Sequence, residues 1–474
     1  MHVHFVAIAG TAMGSLAGLL KARGHTVTGS DEGVYPPMST FLERLGIPVT
    51  IGFAPEHVLA RRPDLVVIGN AVRSDNPEAR AAIDGGVAYA SLPDALYEHA
   101  IRGKHSVVIC GTHGKTTTTS MVATLLFEAG RDPSLLVGGI AANFDGSFRD
   151  GAGPEFVVEG DEYDTAFFDK TPKFLHYGPE TAVITGIEFD HADIYRDLAH
   201  VEGEFAKLAA KLGTAGTLIA ATGAESVDAV ARGARCRVLR YGVECDADFA
   251  ARNLEAGPKG TRFDVFARGL NAARALLPAW GRHNVANALA ALAVCDVRGV
   301  PVARAAPLLA RYQGVKRRQE VRGEVAGVTV IDDFGHHPTA VRETLGGIAA
   351  RYPGRRIVAV MEPRSNTSRR AVFQQEYARA FDGAARAVIA RVPDAPIYSA
   401  FGGDPERLSA DKLAADLCAR GIPAVACDGA DAIVEHLASV CRAGDVVITL
   451  SNGGFGDIWG KLLARLGSAA SASP

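Results

Sequence analysis

A glycine-rich turn set between an apolar run and a helical run constrains this chain more than any other feature. Ser106-Val107-Val108-Ile109-Cys110 reads as a buried strand, Gly111-Thr112-His113-Gly114-Lys115-Thr116-Thr117 as a loop, and Thr119 to Ala129 as a helix. In that setting the glycines let backbone N–H groups wrap an anion, and the helix N-terminus adds partial positive charge. Lys115 then neutralises β- and γ-phosphates, and the Thr116 hydroxyl ligates Mg2+. The loop is a shortened form of G-x-x-x-x-G-K-[ST], whose first glycine falls at Ile109 here. A Gly-rich turn with an incidental lysine is the bland alternative.

Such a loop belongs to a parallel α/β sheet, and the rest of the chain has the same grammar. Three stretches alternate short β-branched runs with Ala/Leu-rich helical patterns, which predicts α/β domains with parallel sheets. Their limits are expected at 1–105, 106–313 and 314–474, in line with about three domains for 474 residues. The outer two read as Rossmann-like, and Tyr312 to Arg318 reads as a hinge into the third. Strands are expected at His4–Ile8, His25–Asp31, Leu65–Asn70, Val328–Ile331, Ile357–Met361, Ala387–Ala390 and Val446–Leu450. Gly10, Ser30, Asn70, Gly111, Asp332, Glu362 and Ser451 sit directly after strands, where open parallel sheets bind ligands. Three such domains facing one another enclose one shared cleft. The tail from Gly467 is expected to fray.

Composition narrows the function classes. A net charge of −3 gives no electrostatic footprint for nucleic acid. Seven cysteines, an odd number with no C-x-x-C, read as reduced thiols of a cytosolic protein. No apolar run approaches the roughly 18 residues of a membrane span. The apolar N-terminus lacks a Lys/Arg-bearing leader and fits a strand and turn better than a signal peptide.

Two further signals are weaker alone. Gly10-Thr11-Ala12-Met13-Gly14 follows the first strand, and Ser30-Asp31 lies about 20 residues on, where an acidic residue meets a ribose. A nucleotide diphosphate and NAD look alike at such a turn, and tight packing alone also explains it. Glu159-Gly160-Asp161-Glu162-Tyr163-Asp164 and Glu188-Phe189-Asp190-His191-Ala192-Asp193 each end a strand. Two hard, acidic clusters suggest paired Mg2+ ions bridging phosphate oxygens. For Asp161, Asp164 and Asp193 a solvated loop is an equal alternative.

G-T-H-G-K-T-T, E-G-D-E-Y-D, E-F-D-H-A-D, G-R-H-N-V-A-N-A and I-D-D-F-G-H-H-P occur in that order, and together they resemble the Mur ligases over essentially the whole chain. The segments Tyr35 to Thr40, Asn70 to Pro77, Asp164 to Lys170 and Met361 to Thr367 resemble the branch that adds a tripeptide to UDP-N-acetylmuramate in peptidoglycan recycling. The L-alanine-adding branch is the alternative. The resemblance implies a UDP-sugar-binding domain, a central ATPase domain and a C-terminal domain for the incoming amine. It implies a cytoplasmic enzyme using ATP and Mg2+, with UDP-N-acetylmuramate and the murein tripeptide as substrates and neither nucleic acid nor membrane as partner.

Residue by residue, it implies that Gly111 to Thr117 hold ATP phosphates, that Thr116 and Glu159 ligate one Mg2+, and that His191 ligates a second. His283, Asn284 and Asn287 fall near adenine and metal, Arg318 at the γ-phosphate, and Asp332 or Asp333 at the ATP ribose. His336 and His337 line the cleft. Gly10, Thr11, Met13, Ser30, Asp31 and Asn70 fall to the sugar nucleotide. Arg364, Ser365, Asn366, Ser451 and Asn452 fall to the peptide. Lys115, Arg318 and His191 are the expected catalytic groups. The bland readings are a surface charge for Arg317, Arg318 or Arg364 and a helix-start turn for His336-His337-Pro338. Three departures stand out: Gly160 where many relatives carry alanine, Gly186 where asparagine is common, and Lys207 near, but one residue out of register with, a lysine carbamylated in some branches. A folylpolyglutamate-type ligase shares the phosphate loop but does not need the first domain. A catalytically silent nucleotide-binding module and an NAD-dependent dehydrogenase are the readings from other classes.

Overall fold

The alternation of apolar runs and glycine turns resolves into three large sheets and a two-stranded ribbon in the computed structural model, which describes residues 1–35 and 38–471. Pro36 and Pro37 of the Tyr35-to-Thr40 segment lie outside the described residues. The first sheet is wholly parallel, in the order Val49–Ile51, Thr26–Asp31, His2–Val6, Leu65–Ile68, Tyr89–Ser91. Its first strand lies two residues earlier than expected. Ala7 turns to φ 66°, and the Ala7 and Ile8 N–H groups both donate to Ser30 O, at 2.9 and 3.1 Å. The chain thereby leaves the sheet and starts the helix Thr11–Ala22, whose N-cap, Gly10, offers no side-chain cap.

The middle sheet has ten strands. Its parallel centre runs Arg237–Val243, Thr217–Ala221, Thr181–Ile184, His105–Cys110, Glu155–Gly160, Ser134–Ala141. The expected parallel sheet carries antiparallel strands at both edges. Phe249–Gly257, Gly260–Ala267 and Leu270–Leu277 form an antiparallel ladder, and Gly146–Arg149 pairs antiparallel at the far edge. The reason is connection length. Two-residue turns at Pro258-Lys259 and Arg268-Gly269 permit only hairpins, because a parallel return needs a crossover of a dozen residues. The third sheet repeats the pattern: Glu320–Val325 folds antiparallel onto Val328–Asp333 through Ala326-Gly327, and the parallel strands Val446–Leu450, Ile357–Met361, Arg386–Ala390 and Ala424–Cys427 follow.

Period-two alternation along His105–Cys110 splits the middle core. Val108 and Cys110 join a cluster continuous with the first domain, whereas Val107 and Ile109 face the helices Lys115–Glu128 and Arg282–Val297. The first helix packs on the middle domain, with Ser15 Oγ 2.6 Å from Ser147 Oγ and Arg23 paired with Asp150 at 2.7 Å. The segment Tyr312 to Arg318 divides between two bodies. Lys316 N donates to Ile140 O of the middle domain at 3.0 Å, while Arg317 O accepts Phe334 N of the third at 2.9 Å. Arg317 sits at φ 64° between those anchors. The last three residues of the tail lie outside the described residues. Within its described part the tail is helical rather than frayed, the helix Ile458–Ser471 running through Gly467 with Ser468 Oγ bonded to Ala464 O at 3.0 Å. The alanines around it are strong helix formers.

Gly160 explains itself by packing. A Cβ there overlaps Cys110 Sγ and comes within 2.8 Å of Val108 Cγ1, both on the neighbouring strand. Gly160→Ala is therefore expected to cost about 1–3 kcal/mol through overpacking. Urea unfolding of Gly160→Ala, alone and combined with Cys110→Ala, checks this: the second substitution recovers part of the loss. Additive losses would point elsewhere.

Candidate active site

Gly111 and Gly114 make the phosphate loop possible. Gly111 has φ 127° and Gly114 φ 78°, and a Cβ on Gly114 would come within 2.5 Å of Asn287 Oδ1. The loop thus presses against the start of the helix Arg282–Val297, whose Asn284 Nδ2 donates to Trp280 O at 2.8 Å. Thr112 N donates to Gly186 O at 2.9 Å, tying the loop to the next strand end. The side of Gly186 where a Cβ would project is open space, so its lack of a side chain sacrifices no packing.

Charges converge on this loop. Lys115 Nζ donates to Gly111 O at 2.8 Å and to both Glu162 oxygens at 2.9 and 2.7 Å, and His191 Nε2 lies 3.1 Å from Glu162 Oε1. Thr116 Oγ1 donates to Glu159 Oε1 at 2.9 Å, and Gly138 N donates to Glu159 Oε2 at 2.7 Å. Arg318 Nη2 reaches Thr116 Oγ1 at 3.4 Å from across the cleft. Burial opposes charge on His191, but Asp190, Glu162 and Asp161 outweigh it and push its pKa up to about 9. Burial raises the Glu159 pKa, against the pull of Gly138 N–H, Lys115 and Thr116.

The donor chemistry fits a hard divalent cation. Asp161, Glu162 and His191 present ligand atoms that all lie within 4.8 Å of one another, and Glu159 and Thr116 set two more oxygens beside the loop. A second cluster, His113, Glu188 and His337, links the loop to the third domain. Thr339 Oγ1 donates to Glu188 Oε2 at 2.7 Å, and the His113 and His337 rings are 4.7 Å apart. Burial works against charge on Glu188, yet His113, Thr339 and His337 hold its pKa down at about 2.

One cleft of about 1860 Å³ gathers most of the expected residues. Thr112 to Thr117, Glu159 and His191 line it, with His283, Asn284 and Asn287 above and Arg318 and Asp333 at the hinge. His336, His337, Arg364 and Asn452 close it from the third domain, and Gly10, Thr11 and Asp31 open onto it from the first. Met13 and Asn70 line an adjoining cavity.

Several expected residues lie elsewhere. Ser30 is fully buried and donates to Glu78, which also holds His57, so it cannot reach a ligand in this arrangement. Asp332 is fully buried under Arg317, at 3.1 Å, leaving Asp333 as the one of the pair on the cleft. Arg317 also donates to Ser451 O and Gly453 O, at 2.8 and 2.6 Å, which makes it an internal strut rather than a surface charge. Ser451 is buried with its Oγ bonded to Glu362 Oε2 at 2.5 Å, and Ser365 Oγ bonds within its own turn to Ser368. Asn366 Nδ2 donates to Asp193 Oδ2 at 3.0 Å, joining the third domain to the middle one. Lys207 is exposed on the helix Leu198–Lys211, bonded to Glu204 at 2.7 Å, and does not line the cleft.

Glu162 is the main group that the sequence left unassigned. It lay in the acidic cluster, but nothing in the order of residues says which carboxylate turns toward Lys115. Glu188 and Asp193 were hidden in the same way, because their partners come from other domains.

A three-sheet molecule with a phosphate loop and acidic strand ends on one cleft has the build of an ATP-dependent ligase, and comparison with known proteins specifies the family. Residues 2–104 match the Mur ligase family catalytic domain, 109–295 the Mur ligase middle domain, and 317–453 the Mur ligase glutamate ligase domain. The UDP-N-acetylmuramate–L-alanyl-γ-D-glutamyl-meso-2,6-diaminoheptandioate ligase of Haemophilus influenzae is 37% identical over 468 residues, covering 98% of this chain and 99% of that one. The UDP-N-acetylmuramate–L-alanine ligase of Salinibacter ruber is 38% identical over 461 residues, covering 96% and 92%. The crystal structure of a murein peptide ligase from Psychrobacter arcticus superposes with a TM-score of 0.72 at 34% identity, covering 98% and 99%. The chain belongs to the Mur ligase family.

The His191 environment has a pH signature. Its pKa is raised from 6.5 to about 9. Its contribution to stability is therefore full below pH 6.5 and lost as pH rises through about 9. Urea midpoints of chelator-treated protein are expected to fall across that window, and His191→Gln to flatten the fall. An unchanged slope in the variant would assign the titration to another group.

Proposed function

We propose that the chain joins the tripeptide L-Ala-γ-D-Glu-meso-diaminopimelate to UDP-N-acetylmuramate, with ATP as the energy source, in peptidoglycan recycling. The single observation that carries this reading is the convergence of a phosphate loop, a carboxylate–imidazole cluster and a guanidinium from a third domain on one cleft. The names of the relatives matched over nearly their whole length supply the substrates. The L-alanine reading is favoured by the names of other such relatives, that of Salinibacter ruber among them.

The lactoyl carboxylate takes the γ-phosphoryl group of ATP, and ADP leaves. The peptide's amino group attacks the acyl phosphate, and phosphate leaves as the amide forms. The chain's own groups answer the electrostatic problem of bringing anions together. Lys115 from the loop and Arg318, which reaches Thr116 from the third domain, supply positive charge where charge develops on the transferring group. Glu159 and Thr116, with Asp161, Glu162 and His191, would hold Mg2+, which neutralises phosphate charge when bound. His283, Asn284, Asn287 and Asp333 border the nucleoside end. Gly10, Thr11, Met13, Asp31 and Asn70 border the sugar nucleotide, and Arg364 and Asn452 the peptide. Closure excludes water from a labile intermediate. The domain limits proposed are 105 and 313.

No helix among the described residues is long and apolar enough to cross a membrane, and none of the seven cysteines is paired. Both fit the proposal that the reaction runs in the reducing cytoplasm.

Phosphate release with UDP-N-acetylmuramate, ATP and Mg2+ is expected with the tripeptide and to be much slower with free L-alanine. The reverse ranking would move the chain to the L-alanine branch. Lys115→Ala is expected to lower kcat by roughly 10²–10³-fold or more, as for other lost charge-stabilising donors. Arg364→Ala is expected to raise KM for the peptide about 10-fold or more and to leave KM for ATP nearly unchanged, the size of one charged hydrogen bond. Equal effects on both substrates would remove Arg364 from the peptide site.

A further inference from the structure

The Asp164-to-Lys170 segment has no part in the chemistry above, yet it is folded with care. Asp164–Ala166 pairs antiparallel with Asp169–Pro172, and this ribbon delivers the chain to the turn Lys173–Leu175. That turn is tied back onto the acidic strand end: Lys173 N donates to Tyr163 O at 3.3 Å and Phe174 N to Asp161 O at 3.4 Å. Phe174 is fully buried, its ring 5.2 Å from that of Phe205. The result is a lysine held at 8% exposure inside the protein. A buried ammonium is expensive unless its charge has a use.

Lys173 Nζ donates to Asp161 Oδ2 at 2.7 Å and lies 5.5 Å from the Tyr163 ring centroid. An ammonium has three donors, and the Asp161 bond is the one this group makes among the described residues. It faces a cavity of about 440 Å³ between the first and middle domains, shared with Thr11, Asn70, Glu159 and Asp161. The charged side chains of that lining are two carboxylates and Lys173. An anionic sugar nucleotide entering there meets acidic walls with a single side-chain cation.

We propose that Lys173 is an acceptor-binding, specificity-determining residue: its ammonium turns from Asp161 to an anionic oxygen of the UDP-sugar carboxylic acid. This rests on the acceptor assigned under Proposed function. The anion is a diphosphate or the lactoyl carboxylate, which share one recognition chemistry. A long flexible stem lets the ammonium serve both Asp161 and ligand without backbone movement. Because the ribbon and turn carry Lys173, they are the scaffold of the acceptor site.

Titration calorimetry of the full chain with UDP and with UDP-N-acetylmuramate, beside initial rates, tests it. Lys173→Met is expected to weaken UDP-N-acetylmuramate binding about 10-fold or more, as for loss of one charged hydrogen bond, with KM for ATP and tripeptide changed by less than about twofold. Lys173→Arg is expected to restore most of the affinity. A matching loss for UDP places the contact on the diphosphate, and a loss confined to UDP-N-acetylmuramate places it on the carboxylate; both support the proposal. Wild-type affinity in a Lys173→Met chain that melts like the parent overturns it, as does an equal loss for ATP. Should Lys173→Met fail to fold, Lys173→Gln, which keeps two donors without the charge, is read by the same criteria. A parent chain that binds no UDP-N-acetylmuramate overturns the acceptor assignment itself, before any variant is compared.

Discussion

The site is organised around one buried carboxylate. Glu162 is 2% exposed and accepts from Lys115 while contacting His191. An isolated charge at that depth is unfavourable by several kcal/mol, so each of the three groups requires the others. The same economy extends outward. Asp190 and Asp161 sustain the charge on His191, Lys173 sustains Asp161, and Thr116 and Gly138 satisfy Glu159. Alternating charges thus make a pre-formed network beside the phosphate loop. Preorganisation of this kind keeps reorganisation small when charge moves.

The junction of the middle and third domains borders the same network. Lys316 is fastened to the middle domain and Arg317 to the third, so the two bodies meet at the bond between them, with Arg317 at positive φ. Arg317 faces inward on Asp332, Ser451 and Gly453, which sends the next side chain, Arg318, the other way toward Thr116. Two adjacent arginines thus have opposite duties: one braces the third domain from within, the other projects into the cleft. Contacts from Asn366 to Asp193, Thr367 to Ala192 and Thr339 to Glu188 hold the third domain against the middle one.

Much of this was legible before any coordinates. The strand–loop–helix around Lys115, the alternation of strands and helices, and the acidic strand ends follow from periodicity and from glycine placed after strands, since those signals are local. Strands such as Ile357–Met361 and Val446–Leu450 appear where the apolar runs put them. The antiparallel edges were missed because a hairpin and a crossover begin with the same β-branched run, and the short turn alone separates them. Ser30 and Asp332 were misjudged for a shared reason. Both follow the rule that strand ends face ligands, but the period of two turns alternate residues inward, and both point into their own domains.

What the sequence alone determined is the chemistry on hand: a loop able to wrap phosphate, acidic and imidazole groups at strand ends, cations at the hinge, and the family to which such a set belongs. What only the tertiary structure decided is pairing. Glu162 rather than its neighbours meets Lys115, Arg317 turns inward onto Asp332 and Ser451, and Lys173 rather than Lys207 is buried beside the acidic cluster. Each choice depends on which way a side chain points and on which distant segment lies opposite. Contacts between residues far apart in the chain leave no mark in local order, because they form only when separately folded sheets come together.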